Sequence, residues 1–75
     1  MWETELAEVR QALSDNIKAL RKKRKLAQER LALDAGVDRT VVSKIERQVS
    51  NPSIEILAKL AVVLNVPVTR LLVVE

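Results

Sequence analysis

Neither cysteine nor histidine occurs among the 75 residues, so no disulfide can form and the usual zinc ligands are missing. The same absence removes the common partners of nucleophilic catalysis. Ser43 and Lys44 are neighbours, but adjacent helical positions point in different directions and do not make a nucleophile and its base. An enzyme, a metal site and a bound cofactor are therefore not expected. Long apolar runs are also lacking: the longest is Leu60 to Leu64, far short of a bilayer span. The opening residues carry Glu3, Glu5 and Glu8 instead of a basic segment before an apolar one, so a soluble, cytoplasmic protein without a membrane partner is expected. A domain of this size buries only about 60% of the surface its unfolded chain exposes, and neither metal nor disulfide can add to its stability. With 48% apolar residues on so short a chain, self-association as a homodimer is the expected remedy.

Glycine occurs once, at Gly36, where one helical pattern stops and the next begins. A residue just past a helix terminus commonly needs positive φ, which glycine adopts without steric penalty. Before it, Leu31, Ala32 and Ala35 mark the inner face of one short helix, and after it Val42 and Ile45 face inward from another. Val37 fills the corner between them, Ala32 is small where the axes must approach, and Asp38 is a good N-cap for the second helix. This is the spacing of a DNA-binding helix-turn-helix.

Charge is divided unevenly. Residues 1–15 hold Glu3, Glu5, Glu8 and Asp15 against Arg10, a net of −3 that leaves +6 for residues 16–75. Lys18, Arg21, Lys22, Lys23, Arg24 and Lys25 form one basic cluster, and Arg39, Lys44 and Arg47 form another on the second helix of the motif. A basic run is often only a solvated face, but two clusters flanking one motif favour a polyanionic partner.

Leu6, Val9, Leu13, Ile17 and Leu20 form a stripe that stays in phase, which favours one continuous or gently kinked first helix ending near Arg24 or Lys25. The capping residues Ser14, Asp15 and Asn16 offer an alternative break into two helices. Further helices are predicted over 27–35 and 39–47. Pro52 makes a loop of Gln48 to Asn51, and Ser53 caps a helix to Leu64 with Ile54, Leu57, Leu60, Ala61 and Leu64 as its buried stripe. After Pro67 a short last helix is predicted over 68–72, followed by the apolar tail Val73 and Val74.

From Asn16 to Leu72, about three quarters of the chain, this order of elements resembles the phage-repressor (Cro-like) helix-turn-helix family. The resemblance is carried by Ile17-Lys18-Ala19-Leu20-Arg21, Gln28, Leu31-Ala32, Ala35-Gly36-Val37, Ser43-Lys44-Ile45-Glu46-Arg47, Asn51-Pro52-Ser53 and the helix closing on Asn65-Val66-Pro67. Within that family the run Asp38-Arg39-Thr40, with Ser43 and Ile45-Glu46-Arg47, is similar to the controller proteins of restriction-modification systems. The resemblance implies an all-α, five-helix repressor-like domain over residues 16–75, here preceded by an acidic helical extension over 1–15. Its third helix is expected to enter the major groove of double-stranded DNA. Two positions depart from the pattern: Ala27 replaces the usual Ser or Thr cap, which predicts a loose start to the second helix, and Gln48 replaces a glycine, which predicts a recognition helix that ends differently or runs longer.

The resemblance implies base contacts from Arg39, Thr40, Lys44 and Ser43. Arg39 is the first choice, because a guanidinium can donate two hydrogen bonds to guanine O6 and N7. Gln28 heads a helix whose free N–H groups suit a phosphate, with Arg24, Arg47, Gln48 and Asn51 as further phosphate candidates. Arg21 and Glu46 are implied to form a buried ion pair joining the first and third helices. Dimerisation is implied through the C-terminal helices, where Val66, Val68, Leu71, Leu72, Val73 and Val74 remain after the core is filled. Trp2 and Leu6 are left over at the other end, and Trp2 is read equally as an interface residue or as a cover for its own core. The competing reading is an antitoxin or helical interaction module that binds a protein partner through its N-terminal extension.

Overall fold

The computed structural model describes residues 1–74, and four α-helices with no strand occur among them. They are α1 (Trp2–Lys23), α2 (Gln28–Ala35), α3 (Val41–Glu46) and α4 (Ile54–Leu64), followed by a 3-10 turn at Val68–Leu72. The expected fifth helix is thus only that tighter turn. It starts directly after Pro67 and closes by a three-residue bond, from the Arg70 N–H to the Pro67 carbonyl at 3.0 Å.

α1 crosses the junction at residues 14–16 without a break. Ser14 and Asn16 do not cap, because their side chains are taken by tertiary contacts. Ser14 Oγ donates to the Glu46 carbonyl at 2.8 Å, and Asn16 Nδ2 donates to the Leu71 and Val73 carbonyls at 3.0 and 2.9 Å. Asp15 stays on the surface, accepting from Gln11 one turn earlier. These bonds tie α1 to the end of α3 on one side and to the C-terminal turn on another.

The core is aliphatic and drawn from every element: Leu13 and Ile17 of α1, Leu31 and Ala32 of α2, Val42 and Ile45 of α3, Leu57, Leu60, Ala61 and Leu64 of α4, and Leu71 of the 3-10 turn. Ile54 departs from its expected place in the α4 stripe, being 78% exposed, and the core contacts of that helix begin with Ile56 and Leu57. Trp2 is 67% exposed and does not cover the core. Full burial in α1 begins only at Ala12, and before it only Leu6 and Arg10 are half-buried.

All four helices stop in the same way. A residue in the left-handed region follows each one: Lys25 (φ 57°), Gly36 (φ 70°), Gln48 (φ 62°) and Asn65 (φ 58°). In each case the next amide reaches back five residues, as Leu26 to Arg21, Val37 to Ala32, Val49 to Lys44 and Val66 to Ala61, with distances of 3.0 to 3.1 Å. These are Schellman closures, and only one of the four uses glycine. Gln48 therefore takes the conformation a glycine would supply, and α3 is not extended by it.

Candidate nucleic-acid interface

The polar surface centred on α3 is set by its two ends. α3 begins at Val41, two residues later than the pattern predicted, so Arg39 and Thr40 lie in a tight turn ahead of it. Asp38 organises that turn: its Oδ1 accepts from the Thr40 backbone N–H at 2.9 Å and from Thr40 Oγ1 at 2.7 Å, while its carbonyl accepts from the Val41 N–H at 3.0 Å. Those two Thr40 bonds hold the Asp38 carboxyl below the usual aspartate range, with the charges of Lys44 and Arg39 acting in the same direction. With its hydroxyl proton directed to Asp38, the exposed Thr40 keeps only acceptor lone pairs on its oxygen for a partner. Arg39 has a side chain 78% exposed, with Nη2 only loosely placed at 3.7 Å from Glu29 Oε1. A pair so exposed adds little and leaves the guanidinium free to be recruited.

Along α3, Val42, Ile45 and Glu46 turn inward, Lys44 is exposed and Ser43 is half-buried, with Arg47 exposed just past the helix. Arg39, Thr40, Lys44 and Arg47 thus share the solvent side of one short, internally anchored segment.

Glu46 is the anchor. Arg21 Nε lies 2.8 Å from its Oε2 and Nη2 3.1 Å from its Oε1, with only 12% and 4% of the two side chains exposed. Arg21 Nη1 also donates to the Leu26 carbonyl at 2.8 Å, so one guanidinium ties α1, α3 and the α1–α2 loop. Gln28 Nε2 completes the shell of Glu46 with a 3.0 Å bond to Oε1. Burial pushes the Glu46 carboxyl upward, but the hydrogen bonds from Arg21 and Gln28, with the charges of Arg21 and Lys18, outweigh it and hold the group below its ordinary value.

The other residues singled out from sequence are less uniformly placed. Gln28 heads α2 behind Ala27, whose backbone is extended and which makes no side-chain cap, and its amide is turned to Glu46. Arg24 Nη1 reaches the Leu64 carbonyl at 3.4 Å, drawing it to the carboxyl end of α4. Asn51 is exposed, and its Oδ1 accepts from Arg10 Nη2, leaving Nδ2 to donate elsewhere. Neither that contact nor the Gln28–Glu46 bond follows from the sequence pattern. A lone base in an acidic segment was the available signal for Arg10. Among the apolar candidates near the C-terminus, Leu71 is fully buried within its own subunit and is withdrawn from any interface. Val66 and Val68 are half-buried against the core, while Leu72, Val73 and Val74 are exposed.

No helix among the described residues is long and apolar enough to cross a membrane. The control protein C.SmaI of Serratia marcescens is 34% identical over 65 residues, covering 87% of this chain and 77% of that protein. The restriction-modification controller protein C.AhdI from Aeromonas hydrophila superposes with a TM-score of 0.77 at 31% identity, over 91% of this chain and 97% of that one. SinR, the master regulator for biofilm formation, in a crystal structure with DNA, superposes with a TM-score of 0.77 at 40% identity, over 81% of this chain and 98% of that one. Residues 17–71, running from the buried Ile17 to the buried Leu71, match the Helix-turn-helix family, and the chain belongs to that family of DNA-binding transcription regulators.

Proposed function

We propose that the protein is a sequence-specific regulator that binds an inverted-repeat operator in double-stranded DNA as a homodimer, acting as a restriction-modification controller or a small repressor in the cytoplasm, at the nucleoid. The observation that carries this reading is the outward set Arg39, Thr40 and Lys44 on a segment fixed from behind by the Arg21–Glu46 pair. Its likeness to SinR, whose crystal structure is a complex with DNA, supports DNA as the partner. Arg39 reads a guanine. Thr40, already donating to Asp38, accepts from an exocyclic amine or touches a thymine methyl, with Lys44 and Ser43 further along the groove. Gln28, Arg24, Arg47, Gln48 and Asn51 hold phosphates and fix register, Gln28 through the free amides of the α2 start while its side chain stays on Glu46. Residues 1–15 act as an acidic extension of the DNA-binding domain over 16–75. Two copies joined through Leu72, Val73 and Val74, with Val66 and Val68 behind them, would set their α3 helices about 34 Å apart, one helical turn of DNA.

The test is to enrich duplexes from random sequence and titrate the best one with wild-type and Arg39→Ala protein at several salt concentrations. The expected enriched site is an inverted repeat, with log K falling against log salt at a slope of roughly −5 to −9 if about six to ten phosphates are neutralised. Arg39→Ala should lose roughly 1 to 3 kcal/mol of discrimination at one base pair per half-site. Equal, weak binding to every duplex, unchanged by the substitution, overturns the proposal. A second reading, a helical module that holds a protein partner, is favoured by the exposed Trp2 in line with Leu6 and Val9 on the free half of α1.

A further inference from the structure

We propose that Arg10, on the acidic extension, is a positioning residue for DNA binding that acts through Asn51. This rests on the operator-binding reading above.

Arg10 and Ser14 both precede Ile17, where the family match begins. From Met1 to Gln11 every residue is exposed except Leu6 and Arg10. Arg10 is also the only basic side chain among residues 1–15. Helical spacing puts Arg10, Ser14 and Arg21 on one line of α1. Each makes its contact in the segment from Glu46 to Asn51: Arg21 with the Glu46 carboxylate, Ser14 with the Glu46 carbonyl, and Arg10 with Asn51 Oδ1. α1 thus runs a polar seam along the end of α3 and the loop after it, and Arg10 is its outermost station.

The contact fixes which end of Asn51 faces outward. With Oδ1 accepting from the Arg10 guanidinium, Nδ2 is left to donate, and an amide N–H is what a phosphate oxygen requires. Without Arg10 the side chain is free to rotate, and its acceptor faces the phosphate in part of the population. The cost to folding should be small, because Arg10 Nε is closed off without a protein partner and Asn51 is exposed, so truncation strands no new buried group. Continuity of α1 through Ser14 to Asn16 is what keeps Arg10 in register with the loop.

The experiment is a double-mutant cycle on the full chain: wild type, Arg10→Ala, Asn51→Ala and the combination, titrated against the duplex that the wild type enriches from random sequence, with melting of each protein followed in parallel. Arg10→Ala is expected to weaken binding about tenfold with melting unchanged within about 2 °C, and to weaken Asn51→Ala no further. Unaltered binding by either single variant overturns the inference. So does an equal loss on adding Arg10→Ala to Asn51→Ala, accompanied by a salt slope shallower by about 0.9, since Arg10 would then touch phosphate itself. A large fall in melting temperature on Arg10→Ala would make its role structural and also overturn it. Failure of the wild type to enrich any duplex defeats the operator-binding reading as a whole, whereas the other adverse results defeat the role of Arg10 alone.

Discussion

Arg21 and Glu46 meet edge to edge between α1 and α3, with two nitrogens of one guanidinium on two oxygens of one carboxylate at 2.8 and 3.1 Å. Arg21 has no freedom left to follow a ligand, since its third nitrogen is held by the Leu26 carbonyl. The pair lies behind the proposed interface. It joins α1 to α3, and Gln28 holds the same carboxylate from α2.

Glu46→Ala should therefore lower stability far more than it changes base preference. Truncating one partner of a pair this buried leaves an uncompensated guanidinium, at a cost of about 3 to 5 kcal/mol. In a domain of this size each kcal/mol shifts the melting temperature by about 4 to 8 °C, so a fall of at least about 12 °C is expected by circular dichroism. Near-wild-type melting together with altered operator preference would contradict a structural role for the pair.

Acid should reveal the same carboxylate. Its folded value lies below the ordinary 4.5, so above that pH it is ionised in both states and its contribution to stability is present in full. As the pH falls below 4.5 the unfolded chain takes up the proton first, and stability drops until the folded carboxyl is protonated too. Asp38 shifts in the same direction. Urea denaturation across this range should thus show a steeper pH dependence for wild type than for Glu46→Gln, with Asp38→Asn as the control for the exposed carboxylate. An unchanged slope in Glu46→Gln would show that the pair does not hold the carboxylate in its charged form.

How much of this is legible in the sequence depends on whether a residue's role is local. The Gly36 turn, the Ser53 cap, which accepts from the Ile56 N–H at 3.1 Å, and the periodic core positions follow from neighbours along the chain and were readable. Ser14 and Asn16 were not, because a capping residue within a helix looks the same whether it bonds to its own backbone or to a carbonyl 32 or 55 residues away. Arg39 and Thr40 fall outside α3 because the Asp38 carboxylate closes a tighter turn before the α-helical ladder starts. Ile54 satisfies the periodicity of α4 but sits where no other element reaches it. The unusual closures at Lys25 and Gln48 were hidden for a related reason. Tertiary packing on both sides imposes the left-handed conformation on residues that do not prefer it.

That imposed conformation predicts two stabilising substitutions. A side chain in the left-handed region costs roughly 1 to 2 kcal/mol, partly offset by the greater unfolded-state freedom of glycine. Lys25→Gly and Gln48→Gly should each raise stability by about 0.5 to 1 kcal/mol in urea, close to additively because they close different helices. Gly36→Ala should do the reverse by about 1 kcal/mol. Beyond its own chain neighbours no atom lies within 4 Å of the added methyl carbon, so no clash adds to the backbone strain. Loss of stability on Lys25→Gly would show that the lysine side chain contributes more than its backbone conformation costs.

The proposed pairing of two copies separates two adjacent leucines. Leu71 is fully buried in the core, and its backbone carbonyl is bonded to Asn16, whereas Leu72 is 38% exposed beside Val73 and Val74. Leu71→Ala should remove about 2 to 5 kcal/mol of folding stability, a substantial part of the total for a small domain. Leu72→Glu and Val73→Glu touch no core position and should leave the fold intact while placing like charges opposite one another across a two-fold axis. Light scattering after size exclusion should then report a dimer for wild type and a monomer for the two glutamate variants, with operator affinity falling because each half-site is bound alone. Dimers that persist in both variants would move the interface away from this tail, with the free half of α1 bearing Trp2 as the next surface to substitute.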